Sequence, residues 1–169
     1  MAQDYKRFKH PWEAVFNAES KALILGSFPS PASREFGFYY GHPRNAFWRV
    51  LAEVLGVEEP ADTIAARREF VLLHKIALWD TIESCEIKGA SDSAIRNAAP
   101  HKFKPLLAAT KIRHIFTNGK KSAEIFNSLA AAEAKMSAIY LPSTSPANVK
   151  MFGDPAFRAA WNQVAEAVK

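Results

Sequence analysis

The residues able to hold a ligand stand in four short loops rich in Gly, Pro, Asn and Ser. The first runs Gly26-Ser27-Phe28-Pro29-Ser30-Pro31 and continues through Phe36-Gly37-Phe38-Tyr39-Tyr40-Gly41-His42-Pro43-Arg44-Asn45-Ala46-Phe47-Trp48. At Gly26 the backbone can approach a ligand closely, and N–H groups near a helix start suit phosphate or carbonyl oxygens. The same glycines and prolines also make a well-packed connection, and Asn45 reads first as a helix N-cap. Phe36, Phe38, Tyr39 and Tyr40 are not expected all to turn inward from so short a loop; exposed rings suit base stacking. The second loop offers Asp80 and Thr81, an acceptor for a ligand or the cap of the next turn. Thr117-Asn118-Gly119-Lys120 reads as a turn and helix start. In Leu141-Pro142-Ser143-Thr144-Ser145-Pro146-Ala147-Asn148, hydroxyls and backbone N–H groups can bind phosphate oxygens or close a surface turn.

Other chemistries lack their residues. Neither Gly-x-x-x-x-Gly-Lys-Ser/Thr nor a Gly-x-Gly-x-x-Gly after a strand is present. His10, His42, His74, His101 and His114 show no short ligand spacing, so no structural metal is expected. The single Cys85 excludes internal disulfides and Cys-only zinc or iron–sulfur sites within one chain. It also points to a reducing compartment.

The elements that must carry these loops follow from periodicity. Apolar runs at residues 22–26 (ALILG), 76–80 (IALWD), 112–117 (IRHIFT) and 138–141 (AIYL) have strand length, and their continuous apolarity predicts burial on both faces. Helical patterns cover 45–55, ending at Gly56, then a stretch capped by Asp62 through Ile64, Phe70, Leu72 and Leu73. Two more cover 120–134 and 155–168, the last with Asp154 as N-cap and Pro155 in its first turn. Strands separated by helices imply a parallel sheet covered on both sides, with ligands at the carboxyl ends of the strands. All four loops then lie along one edge.

The chain has 169 residues, 49% of them hydrophobic and 23% charged, enough for the core of one domain. A formal charge of +5 favours a polyanionic partner. No apolar run reaches the roughly 18–20 residues of a membrane span, and MAQDYKRFKHPW is followed by no apolar signal core, so a cytoplasmic protein is expected.

In order, GSFPS, FYYGHPRNAFW, IALWDTIESCE, FTNGKKSAEIF and LPSTSPAN resemble the landmarks of the uracil-DNA glycosylase superfamily, above all its hypoxanthine-DNA glycosylase branch. The similarity runs over about residues 23–148, and GHPRNAFW is its most specific part. It implies an α/β three-layer sandwich around a four-stranded parallel sheet, as one domain over residues 1–169. It also implies an enzyme that flips a deaminated base out of double-stranded DNA and hydrolyses its N-glycosidic bond. The iron–sulfur branches need several cysteines, and Cys85 is alone. Where relatives carry a water-positioning Asp or Asn in the first motif, this chain has Phe28; the hypoxanthine branch uses a later Asn, which maps to Asn45. Ser143 replaces a His that supports a uracil carbonyl in many relatives, and Ala147 falls where some insert a leucine wedge. Val149, Met151 or a loop aromatic then remain for that task.

The resemblance thus implies a water held by the Asn45 carbonyl oxygen, with Phe28, Asp80, Asn118 and Ser143 around the base. Asn118 would offer donor and acceptor in one amide, and Phe28 would stack. Gly26, Ser27, Pro29, Ser30, Tyr40, His42, Arg44, Ser145, Pro146, Asn148 and Lys150 would face the DNA, with Lys120 and Lys121 nearby. A monomeric, monofunctional enzyme without cofactor or metal is expected, leaving an abasic site. The alternatives are a uracil- or mismatch-directed glycosylase of the same fold and a catalytically silent module that binds damaged DNA.

Overall fold

The computed structural model describes residues 4–89 and 94–169. Its strands are β1 (Lys6–Lys9), β2 (Ala22–Gly26), β3 (Ile76–Asp80), β4 (Ile82–Ile87), β5 (Ile95–Pro100), β6 (His114–Asn118) and β7 (Ala138–Leu141). The helices are α1 (Pro31–Phe36), α2 (Phe47–Leu55), α3 (Ile64–Leu73), α4 (Lys104–Ala108), α5 (Lys120–Leu129), α6 (Ala131–Ala134) and α7 (Pro155–Ala167), with a 3₁₀ turn at Pro146–Met151.

The expected parallel sheet is present, in the order β3-β2-β6-β7. Alternation along β2 explains its continuous apolarity. Ala22 and Ile24 join Phe47, Trp48, Leu51, Val71, Phe157 and Trp161 on the face covered by α2, α3 and α7. Leu23 and Leu25 join Phe103, Leu106, Phe126 and Ala130 on the face covered by α4, α5 and α6. Both faces are therefore dry, as a parallel sheet needs. Gly26 pairs with Asp80 and Asn118 with Leu141, which brings the carboxyl ends of the four strands to one edge.

Local signals set most helix ends. Asp154 accepts from the Ala156 N–H at 2.9 Å and caps α7, and Gly56 closes α2 at φ 69°. Thr63, not Asp62, caps α3, its hydroxyl accepting from Ala66 N–H at 3.1 Å, while Asp62 pairs with Arg67 at 2.9 Å. The single helix expected over 120–134 is two, because the backbone leaves helical geometry at Ala130 (φ −128°). β6 begins at His114 rather than Ile112: the preceding Lys111 and Arg113 N–H groups are spent on the Ser20 and Lys21 carbonyls.

A second sheet, unforeseen from the sequence, is antiparallel with order β1-β4-β5. Phe8 lies opposite Cys85, and Phe8, Phe28, Ile82, Cys85, Ile87 and Ile125 form its core. β4 follows β3 after Thr81 alone, with no Gly or Pro to mark the change of sheet. This sheet brings His10, which follows β1, to the end of β3. Among the described residues no helix is long and apolar enough to cross a membrane.

Candidate active site

A cleft of about 770 Å³ opens at the shared carboxyl edge, lined by residues of all four loops. Asn45, Phe28, Asp80, Asn118 and Ser143 all line it. So do Gly26, Ser27, Pro29, Ser30, Tyr40, Ser145 and Asn148. His42, Arg44, Pro146 and Lys150 stand outside that lining, on the adjoining loop segments. The His42 ring instead accepts from the Arg44 N–H at 3.0 Å.

Gly26 is required by contact. A Cβ there would lie 2.5 Å from Asp80 Oδ1, so the carboxylate occupies the space a side chain would fill. Asp80 is buried, and its Oδ2 lies 2.8 Å from His10 Nε2. His10 Nδ1 is 2.6 Å from the Trp12 carbonyl, which can only accept, so Nδ1 carries a proton. The Nε2–Oδ2 contact then holds one more proton between ring and carboxyl. His101 donates through Nδ1 to the Asp80 carbonyl at 2.8 Å and stacks on Trp79 at 3.9 Å. Burial first, then the nearby His10, lowers its pKa against the pull of that carbonyl, favouring a neutral ring.

The aromatic stretch turns inward, contrary to expectation. Phe38 and Tyr39 are 3% and 2% exposed, and Phe36 packs against the same core. Tyr40 takes a positive φ of 53° and stacks on Phe47 at 3.9 Å. Core burial outweighs the strain of that backbone, since each ring removes a large apolar area from water. The Tyr40 hydroxyl is held protonated: burial raises its pKa most, Asp80 raises it further, and Asn118 opposes both. Phe28 lines the cleft with only 6% of its surface exposed, its ring set edge-on to His10 at 5.9 Å. Little of that ring is open for stacking.

The two asparagines are tied together by a residue the sequence reading passed over. Asn118 Nδ2 donates to Thr144 Oγ1 at 2.9 Å, and its Oδ1 accepts from the Thr144 N–H at 3.1 Å. The Thr144 hydroxyl donates to Asn45 Oδ1 at 2.8 Å, and the same oxygen accepts from the Phe47 N–H at 3.0 Å. Two donors thus occupy the carbonyl oxygen that was expected to receive a water, leaving Nδ2 as the open end of the amide. Asn45 also caps the chain entering α2 without being its N-cap residue, which is Ala46. Asn118 retains at most one N–H and one lone pair for a ligand.

The rest of the loop is held just as locally. Ser143 Oγ accepts from Ser145 N–H at 3.1 Å, and Asn148 Nδ2 donates to the Ser143 carbonyl at 2.9 Å. Ser30 caps α1, accepting from the Ser33 N–H at 3.1 Å. Lys120 and Lys121 enter the lining at the start of α5, and Val149 and Met151 are exposed on the 3₁₀ turn beyond it. Cys85 is buried outside this lining. Among the described residues no cluster of three or more His, Cys, Asp or Glu could hold a metal. Thr144 was visible only as one hydroxyl in a polar loop, and His10 had no local signal at all.

The sequence profile of the uracil DNA glycosylase superfamily matches residues 13–165. A protein of Methanosarcina barkeri named hypoxanthine DNA glycosylase is 33% identical over 117 residues, covering 69% of this chain and 74% of its own. One of the same name from Methanosarcina acetivorans is 35% identical over 144 residues, covering 83% and 88%. A solution NMR structure of a candidate uracil DNA glycosylase from Methanosarcina acetivorans aligns with a TM-score of 0.77 at 29% identity, over 95% of this chain and 98% of that one.

Proposed function

The chain belongs to the uracil DNA glycosylase superfamily, and from that membership we propose that it is a monofunctional DNA glycosylase that releases hypoxanthine from deoxyinosine in double-stranded DNA. The observation that carries this reading is the fixed amide of Asn45 in a cleft that also holds Asn118 and Asp80. Phe28, at the position where other members orient water, has no polar atom with which to do so. Asp80 is bonded to His10 through Oδ2 and both ends of the Asn118 amide are bonded to Thr144, whereas Asn45 keeps its whole NH₂ group, so Asn45 is the residue assigned to hold the nucleophile.

An amide has no useful basicity near neutral pH, so Asn45 works by orientation. In this reading Nδ2 donates to the oxygen of a water whose other lone pair faces C1′ of the flipped nucleotide. The water oxygen bonds to C1′, the C1′–N9 bond breaks, and its electron pair leaves with the purine. The proton lost by the water balances the one gained by the departing base. Positive charge on the sugar is greatest midway, where the adjacent DNA phosphates stabilise it.

Base choice follows from hydrogen-bond polarity. Hypoxanthine presents an O6 acceptor and an N1–H donor; the N–H left on Asn118 can meet O6, and Asp80 or a backbone carbonyl can accept from N1–H. Adenine presents the reverse pattern and leaves both groups facing their like. Ser143, in place of a histidine, disfavours uracil. Phosphates are met by Lys120, Lys121, Arg44 and Lys150, and Val149 and Met151 are the exposed apolar side chains beside the opened strand.

Duplexes carrying inosine, uracil, xanthine or mismatched thymine test the reading. Inosine is expected to be released fastest, leaving an unbroken abasic strand. Faster release of uracil would overturn the substrate, and salt-dependent binding without release of any base would overturn the chemistry.

A further inference from the structure

We propose that Thr144 is a positioning residue of this site: its hydroxyl fixes which end of the Asn45 amide faces the cleft. The inference rests on the reading of Asn45 as the water-holding residue. Thr144 is fully buried, so no bulk water competes for its hydrogen bonds. All its polar atoms are engaged within the site: the hydroxyl with Asn45 and Asn118, the N–H with Asn118, and the carbonyl with the Ala46 N–H at 3.0 Å.

The direction of the chain of bonds matters. A threonine hydroxyl has one proton, and because Asn118 Nδ2 donates to its oxygen, that proton is free to go to Asn45. Asn118 cannot reverse this, since its Oδ1 is fixed by the Thr144 N–H. Asn45 therefore meets two donors, the Thr144 hydroxyl and the Phe47 N–H, and only Oδ1 can face them. Turning the amide over would set its NH₂ group against the Phe47 N–H and leave the buried Thr144 hydroxyl proton without an acceptor. Thr144 thus orients two amides carried on loops far apart in the chain, Asn118 through its backbone N–H and Asn45 through its hydroxyl, and only the second tie depends on the side chain. With valine at 144, only the Phe47 N–H opposes the turned-over amide, and the position of Nδ2 is held by one bond in place of two.

The test is T144V, T144S and N45A, with T144V also combined with N45A, each measured by single-turnover release of hypoxanthine and by affinity for uncleaved inosine duplex. T144V is expected to slow release by about 10–100-fold, the scale of a misplaced reacting group, with duplex affinity and KM within about twofold. T144S keeps the hydroxyl and is expected to restore release to within about threefold. In the N45A background T144V is expected to add no further loss. A folded T144V with wild-type release, a T144S that does not recover, or an undiminished loss on top of N45A would each overturn the inference. If valine prevents folding, T144A removes the hydroxyl without setting an apolar methyl against the Asn45 and Asn118 amides. Wild-type release by N45A would instead overturn the reading of Asn45 itself, and so tells the two failures apart.

Discussion

At the scale of single residues, the cleft is shaped by polar groups whose partners are already chosen. Asp80 is the clearest: its carboxyl sits against Gly26 and pairs with His10 where both side chains are nearly closed to solvent, at 6% and 2% exposure. Such a pair is a weak argument for stability as a whole, but removing one partner leaves the other uncompensated in a poor solvent. His10→Ala is therefore expected to cost roughly 3–5 kcal/mol. Denaturant unfolding of both proteins measures this, and a loss no larger than that of a surface substitution would show that Asp80 does not need its partner. Asn45 teaches a related lesson. Its residue type invited both a capping and a chemical reading, and the structure joins them: Oδ1 is used by the Phe47 N–H and by Thr144, and the other end is left open.

Elements hold these residues in place through contacts that also form the core. Trp161 on α7 is fully buried among Phe47 and Phe157, and its indole N–H donates to the Pro142 carbonyl at 3.0 Å. It thereby ties the loop bearing Ser143, Thr144 and Ser145 to the helix layer. Trp161→Phe keeps much of the ring but leaves that half-buried carbonyl without its donor, a cost of about 1 kcal/mol. The expected outcome is a lowered melting temperature with faster hydrogen exchange at the Ser145 and Ala147 amides. Unchanged exchange there would mean the loop is held by its own turns. β2, β3 and β7 begin and end where their apolar runs do, because strands buried on both faces leave an unbroken apolar string. The second sheet left no such string: KRFK and IESCEI are short and half-polar, and they become strands by pairing, KRFK with IESCEI far along the chain and IESCEI also with the neighbouring β5.

For the whole molecule, charge and edge geometry act together. The chain carries a formal +5, and Lys120 and Lys121 reach the cleft that the four strand ends define. Replacing either lysine with alanine is expected to weaken DNA binding about equally for all sequences and to lower the salt dependence, log affinity against log salt, by about one unit of slope. Affinity titrations between low and physiological salt measure it; a loss confined to inosine duplexes would assign these lysines to the base instead.

What the sequence by itself determined was the sheet, its covering helices, the edge where its loops gather and the superfamily whose landmarks those loops carry. These follow from short-range signals: apolar runs, caps, and residue types next to one another in the chain. Only the tertiary structure decided the pairings that give the cleft its chemistry, His10 with Asp80 across 70 positions and Asn45 with Thr144 across 99. A hydrogen bond needs its two atoms within about 3 Å and correctly directed. No local pattern records that, because the assembled sheets are what bring such distant residues together.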